Sequence, residues 1–167
     1  MSSDAYYDAR SAVLRAAQAS GAPLRERSIW PGSASTMQYA EPLAGLRAAR
    51  VLEDTARRVT SDYIRYARQD GATWAQIGEA LSLDVGGERS GYDLAVAAHE
   101  HATGKPEPFR HPTFGWMCPD CGQGISDYGP YESHPADREH GHSDSCTRLG
   151  VQVAAWQAER DTWEAGE

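Results

Sequence analysis

The residues with the clearest chemical potential in this chain lie between positions 118 and 146. This stretch holds all three cysteines and three of the six histidines. Cys118 and Cys121 have the spacing of a turn that presents two thiolates to one tetrahedral metal ion. His142 and Cys146 are four residues apart, so on the first turn of a C-terminal helix they would point the same way. These four residues predict a zinc site.

The histidine ligand has two alternatives. His134 and His140 lie in the same stretch, and either could replace His142. Three carboxylates are also near, although a carboxylate is a poorer fourth partner beside three thiolates: Asp127, Glu132 and Asp137. Three unliganded cysteines are the remaining alternative, and such cysteines have no reason to adopt ligand spacing.

A metal with four protein ligands has no open position for water, so the predicted zinc is structural and the chain is not an enzyme. The zinc deaminase signature needs His-x-Glu and then Pro-Cys-x-x-Cys, but Met117 precedes Cys118 here. The metalloprotease pattern His-Glu-x-x-His fails at His99. A zinc-linked nuclease of the His-Asn-His type is the enzyme alternative, and the absence of Asn from the chain weakens it.

Composition limits the class of protein. The chain has 167 residues, enough for one core or for a helical core with a small appendage. No apolar run is long enough to span a membrane and the N-terminus lacks signal-peptide features, so we expect a cytoplasmic protein without membrane contact. In a reducing cytosol, clustered cysteines favour metal over disulfides. The net charge of −8 argues mildly against nucleic acid.

The elements that must position these residues are mainly helical. Apolar periodicity and capping residues predict five helices: 3–21, 41–71, 73–83, 92–104 and 143–166. Residues 22–39 are predicted as a connector, and 122–129 as a short hairpin. The predicted fold is therefore mainly α with minor β. Residues 1–104 form a helical domain with a helix-turn-helix-like unit at about 42–104, and 105–167 form a zinc-finger region with a C-terminal helix.

The long helix at 41–71 has two contrasting faces. One predicted stripe is apolar: Leu52, Ala56, Val59, Tyr63 and Ala67. Arginines lie opposite this stripe on an ideal helix. Four of them are candidates to contact DNA phosphates: Arg57, Arg58, Arg65 and Arg68. The alternative is an ordinary solvated face.

The next two helices have the order of a helix-turn-helix, in which the second helix enters the DNA major groove. Thr73 and Gln76 fit a capping box, and the small Gly78 suits a close helix crossing. The connection between these helices is longer than the usual three or four residues. If the arrangement holds, Arg89, Ser90 and Tyr92 are the candidates to contact base edges.

The metal segment carries a family resemblance. It contains "CPDCGQGISDYGPYESHP" followed by "HGHSDSC", which resembles a signature of small actinobacterial proteins with a helix-turn-helix and a zinc finger. The resemblance covers about residues 60–150. It implies a DNA-binding factor. A more specific form of this function is selective binding of cytosine-methylated DNA.

We therefore expect a sequence-specific double-stranded DNA-binding protein with structural Zn²⁺, selective for methylated DNA in the narrower version. The alternative is a zinc-stabilised protein-interaction module whose arginine stripe pairs with an acidic protein. A homodimer is a further possible assembly, because helix-turn-helix proteins often pair to match two half-sites.

Overall fold

The computed structural model describes residues 3–86, 90–107 and 110–164. The chain is mainly α with minor β, as predicted, and its strands form two small antiparallel sheets. The helices are α1 (Ser3–Ala19), α2 (Pro42–Gln69), α3 (Trp74–Ala80), α4 (Gly91–Thr103), α5 (Pro135–Arg138) and α6 (Thr147–Glu164). The strands are β1 (Leu24–Ser28), β2 (Thr36–Ala40), β3 (Phe114–Met117), β4 (Gly124–Asp127) and β5 (Glu139–His140).

The chain divides into two compact units, Met1–Thr60 and Ser61–Glu167. In the N-terminal unit, β1 and β2 form an antiparallel hairpin with Leu24 opposite Ala40. Its buried core consists of Ala17, Ala40 and Ala48. The prediction of a connector at 22–39 is wrong for these strands. Most residues of both strands are exposed, so the alternating apolar pattern of a half-buried strand is missing.

The C-terminal unit has one shared core. Side chains from α2, α3 and α4 pack with those of residues 114–146, the segment we call the finger. The principal buried residues are Ile64, Trp74, Ile77, Ala98, Phe114, Trp116 and Ile125. Because helices and finger share this core, the division between units falls inside α2 at Thr60/Ser61, whereas the sequence suggested 104/105.

Helices α3 and α4 pack closely. The capping box is confirmed, since the Thr73 side chain accepts from the Gln76 N–H and the Gln76 side chain accepts from the Thr73 N–H. A Cβ atom on Gly78 would lie 2.6 Å from the carbonyl oxygen of Leu94. The expected close approach at Gly78 is therefore present.

The buried face of α2 differs from the predicted one. Val59 and Tyr63 of the predicted apolar stripe are 46% and 69% exposed. Near the C-terminal end of α2, the buried residues are Ile64 and Arg68. The physical reason is that the finger buries two carboxylates, which need a cation from the helix that covers them.

Helix α6 begins at Thr147, so His142 and Cys146 precede the helix and do not form its first turn. None of its described residues is buried, and Trp163 is 78% exposed. In the part of the chain that the structure describes, no helix is long and apolar enough to cross a membrane.

We predict that Gly78→Ala lowers the free energy of unfolding by about 1–3 kcal/mol, because the added methyl group forces α3 and α4 apart. Urea denaturation of the zinc-loaded protein measures the effect. Gly91→Ala is the matched control, since its Cβ would meet nothing within 4 Å. Equal stability of the two variants would contradict the close crossing.

Candidate metal centre

Four potential metal-ligand atoms, from residues near the two ends of the finger, lie close together. They belong to Cys118, Cys121, His142 and Cys146 and lie within 4.8 Å of one another. The Cys118 and Cys146 Sγ atoms are 3.8 Å apart, and His142 Nδ1 lies 3.2 Å from Cys146 Sγ. A tetrahedral ion with Zn–S bonds of about 2.3 Å separates its sulphur ligands by about 3.8 Å. The predicted set therefore has the spacing to hold a metal ion.

The cysteine pair is presented by a tight turn that follows β3. The Cys118 N–H donates to the Gln123 carbonyl oxygen over 2.9 Å, and the Gly122 N–H donates to the Cys118 carbonyl oxygen over 2.9 Å. Gly122 has a φ of 68°, in the left-handed region that favours glycine. Local backbone geometry thus directs both thiols to the same side of the turn.

The protein environment affects the thiols differently. The pKa of the Cys121 thiol is lowered to about 6, mainly because the sulphur accepts a hydrogen bond from the backbone N–H of Ser143. Burial raises the pKa of Cys118. Metal binding requires thiolates, so Cys121 is more ready than Cys118 to bind a metal ion at neutral pH. A cation bound at this site would favour loss of the Cys118 proton.

The three histidines of the segment have separate positions. His142 is the one whose ring nitrogen meets the three thiols. His134 caps α5, with its Nδ1 accepting from the Ala136 N–H. His140 is exposed and its ring lies 5.0 Å from that of Tyr128. The geometry favours His142 over both alternatives.

The second ring nitrogen of His142 faces a buried carboxylate. His142 Nε2 lies 3.1 Å from Oε2 of Glu139, whose other oxygen accepts from Arg68 over 2.5 Å. A carboxylate in this position fixes the tautomer and orientation of a metal-bound imidazole. Glu139 therefore links the candidate metal ligand to helix α2.

Arg68 joins a second carboxylate to the same network. Its Nε donates to Asp127 over 2.8 Å, and one of its terminal nitrogens donates to the Ala72 carbonyl oxygen over 2.6 Å. Asp127 also accepts from the indole N–H groups of Trp74 and Trp116 and from the Gly129 N–H. Every charged group in this buried cluster thus has hydrogen-bond partners, as burial requires.

The end of α2 is held by an arginine from α6. Arg148 donates to the carbonyl oxygens of Gln69 and Arg68 over 2.8 and 2.6 Å. Its guanidinium also lies 4.5 Å from the centre of the Trp116 ring. The last carbonyl groups of a helix have no partner within the helix, so Arg148 satisfies two of them. Arg148, two positions after the ligand Cys146, thereby contacts α2.

The predicted DNA-contact residues have mixed positions. Arg68 is 6% exposed and bound to two carboxylates, so the prediction that it contacts phosphate is wrong. Arg65 donates to the Gly115 carbonyl oxygen and pairs with Asp62. Arg57 is exposed and pairs with Glu53, and Arg58 is exposed.

The base-contact candidates lie at the start of α4. Ser90 is the N-cap of α4, and its hydroxyl accepts from the Asp93 N–H. Tyr92 is 59% exposed. Arg89 lies outside the described residues.

The buried network was missed by sequence reasoning, which treated Asp127 only as a lesser metal ligand and did not consider Glu139. One signal was present for Asp127. Alternation along β4 puts Asp127 on the same buried face as Ile125. A carboxylate on the apolar face of a strand needs a cationic partner, and the nearby arginine-rich helix could have supplied it.

We predict that His142→Ala weakens zinc binding by more than about tenfold and lowers the zinc content of the purified protein, because water replaces one of the four protein ligands. His140→Ala and His134→Ala are matched controls and retain one zinc ion per chain. Native mass spectrometry and elemental analysis of the same samples measure the zinc content. Zinc loss in His140→Ala with retention in His142→Ala would overturn the ligand assignment.

We also predict that Arg68→Gln lowers the free energy of unfolding by about 3–5 kcal/mol, since two buried carboxylates lose their cation. Arg58→Gln, an exposed arginine on the same helix, changes it by less than about 0.5 kcal/mol. Chemical denaturation in excess zinc measures both variants. A similar small effect in both would show that the buried ion pairs do not stabilise the unit.

No family model, curated protein or solved structure matches this chain. The interpretation of the site therefore rests on the geometry and chemistry of its own residues. Those residues form a closed set of three thiols and one imidazole, connected through Glu139 and Arg68 to helix α2.

Proposed function

We propose that this chain is a non-enzymatic protein-interaction module stabilised by structural Zn²⁺. The observation that carries the proposal is the buried ion cluster, in which Arg68 binds Asp127 and Glu139 while Glu139 faces His142. Arg68, which was predicted from the sequence to contact DNA phosphates, therefore pairs with two carboxylates of the finger. The donor set supports zinc as the metal, because three thiolates and an imidazole suit that ion.

The closed site supports a structural role for the metal. The His142 side chain is 1% exposed, Cys118 and Cys146 are 1% and 6% exposed, and Cys121 is partly buried. Four protein ligands leave no position for a reactive water. The nuclease alternative is weakened further, because His134 accepts a capping hydrogen bond and His140 packs against Tyr128.

Charge supports a protein partner over DNA for the C-terminal unit. Residues 61–167 contain 8 basic and 18 acidic residues, a net charge of −10 with neutral histidines. Among the described basic residues, four make side-chain contacts inside the unit: Arg65, Arg68, Arg148 and Arg160. Affinity for nucleic acid depends on Lys and Arg that neutralise phosphates. This unit therefore has little cationic surface for a DNA backbone.

An exposed tyrosine pair supplies a surface suited to a protein. Tyr63 and Tyr66 are 69% and 56% exposed, and their ring centres lie 6.0 Å apart in an edge-to-face contact. Tyrosine is enriched at the centres of protein interfaces, because its ring buries a large area while its hydroxyl group retains a hydrogen bond. We propose that this pair, which we call the tyrosine pair, contacts the partner.

A second candidate is sequence-specific double-stranded DNA binding, with methylated DNA as a narrower version. One observation favours it: α3 and α4 cross closely at Gly78, and the exposed Tyr92 lies on the first turn of α4. A helix-turn-helix requires such a close pair, with the start of the second helix free to enter the groove. In this candidate the exposed Arg57 and Arg58 contact phosphates.

The test is affinity purification of the zinc-loaded protein from its native lysate. A defined partner is expected to co-purify with the wild type and to fall about tenfold or more in the Tyr63→Ser/Tyr66→Ser variant. The Tyr6→Ser/Tyr7→Ser variant is the matched control, because Tyr6 and Tyr7 form another exposed edge-to-face pair. Binding of the purified partner is then measured by calorimetry.

Duplex binding is measured in parallel on methylated and unmethylated genomic fragments at two salt concentrations. The interaction module predicts no enriched sequence. Enrichment of a defined duplex that is lost in Arg57→Gln/Arg58→Gln, without a protein partner, would replace the first candidate with the second.

A further inference from the structure

The C-terminal unit contains a cavity of about 510 Å³. Its walls come from α3, α4, the finger and α6, including Trp74, Ala95, Pro130 and Trp156. This volume lies within the range of about 300–1,000 Å³ that holds small molecules in proteins. Two indole rings and several small apolar side chains form much of the lining.

The buried charges that border the cavity are already satisfied. Asp127 accepts from Arg68, Trp74, Trp116 and the Gly129 N–H. Glu139 faces Arg68 with one oxygen and His142 with the other. A ligand would therefore gain few new hydrogen bonds from this cluster.

Arg138 differs from the other arginines of this region. It lines the cavity and is half-buried, and its guanidinium has no hydrogen-bond or ion-pair partner among the described residues. By contrast, Arg68 and Arg148 make several hydrogen bonds each. A partly desolvated guanidinium without a partner is a strong site for a carboxylate, which it can bind with two parallel hydrogen bonds.

Further polar groups in the lining define the ligand more closely. The amide of Gln152 and the hydroxyl of Ser133 also have no hydrogen-bond partner within the described part of the chain, and both can donate to an anion. The carboxylate of Glu159 lines the same cavity. Glu159 disfavours a doubly charged ligand, so the site suits a single negative charge.

We propose that this cavity binds a small aromatic carboxylate. The flat apolar body packs between the walls that contain Trp74 and Trp156, and its carboxylate accepts hydrogen bonds from Arg138. The cavity borders Glu139, which faces His142, but its lining contains none of the four candidate metal ligands and neither residue of the tyrosine pair. It does not depend on which macromolecule the chain binds.

The test is isothermal calorimetry of the full, zinc-loaded chain with three probes: indole-3-acetate, the neutral indole-3-acetamide and inorganic phosphate. Saturable binding of the carboxylate is expected, with the amide and phosphate at least about tenfold weaker. Arg138→Gln is expected to weaken carboxylate binding about tenfold or more, since the variant loses the charge-assisted hydrogen bonds to the carboxylate. Arg138→Lys is expected to recover part of the affinity.

Arg58→Gln is the matched control, because Arg58 is exposed and does not line the cavity. Its carboxylate affinity should equal that of the wild type. Zinc content and circular dichroism of every variant establish that the fold is retained. Equal binding of acid and amide, unchanged affinity in Arg138→Gln, or no saturable carboxylate binding by the folded wild type would overturn the proposal.

Discussion

The buried contact of Arg68 with Asp127 and Glu139 is the interaction on which the C-terminal unit depends. Burying these carboxylates costs several kcal/mol each unless a cation and further donors compensate them. Arg68 supplies the charge, while two indole N–H groups and the Gly129 N–H complete the shell of Asp127. The cluster also fixes Glu139 against His142, so the position of α2 and the orientation of the candidate metal ligand are joined.

This connection explains why one small segment can organise a larger helical unit. The finger has only short strands, and its apolar residues complete a core shared with α2, α3 and α4. Zinc binding can contribute the folding free energy that so small a segment lacks. Arg148, two positions after the last ligand, then binds the last carbonyl groups of α2. Metal, ion cluster and helix end form one continuous set of contacts.

Local patterns predicted the parts of the molecule that local interactions determine. Ligand spacing indicated the four metal-site residues, the Thr73 capping box indicated the start of α3, and Gly78 indicated the close helix crossing. The inward position of Arg68 depends on Asp127, which is 59 residues away. Helical periodicity shows which residues share a face, but the partner decides which face is buried. The exposed β1–β2 hairpin had no apolar alternation to reveal it.

Hydrogen exchange with and without zinc tests most directly whether the metal centre holds α2 through the ion cluster. Backbone amides of residues 61–69 and of α3 are predicted to lose protection when zinc is removed, because His142 and Glu139 lose their fixed positions. Amides of α1 and the β1–β2 hairpin, which belong to the other unit, should keep their protection. Unchanged protection at residues 61–69 in the zinc-free protein would contradict the account.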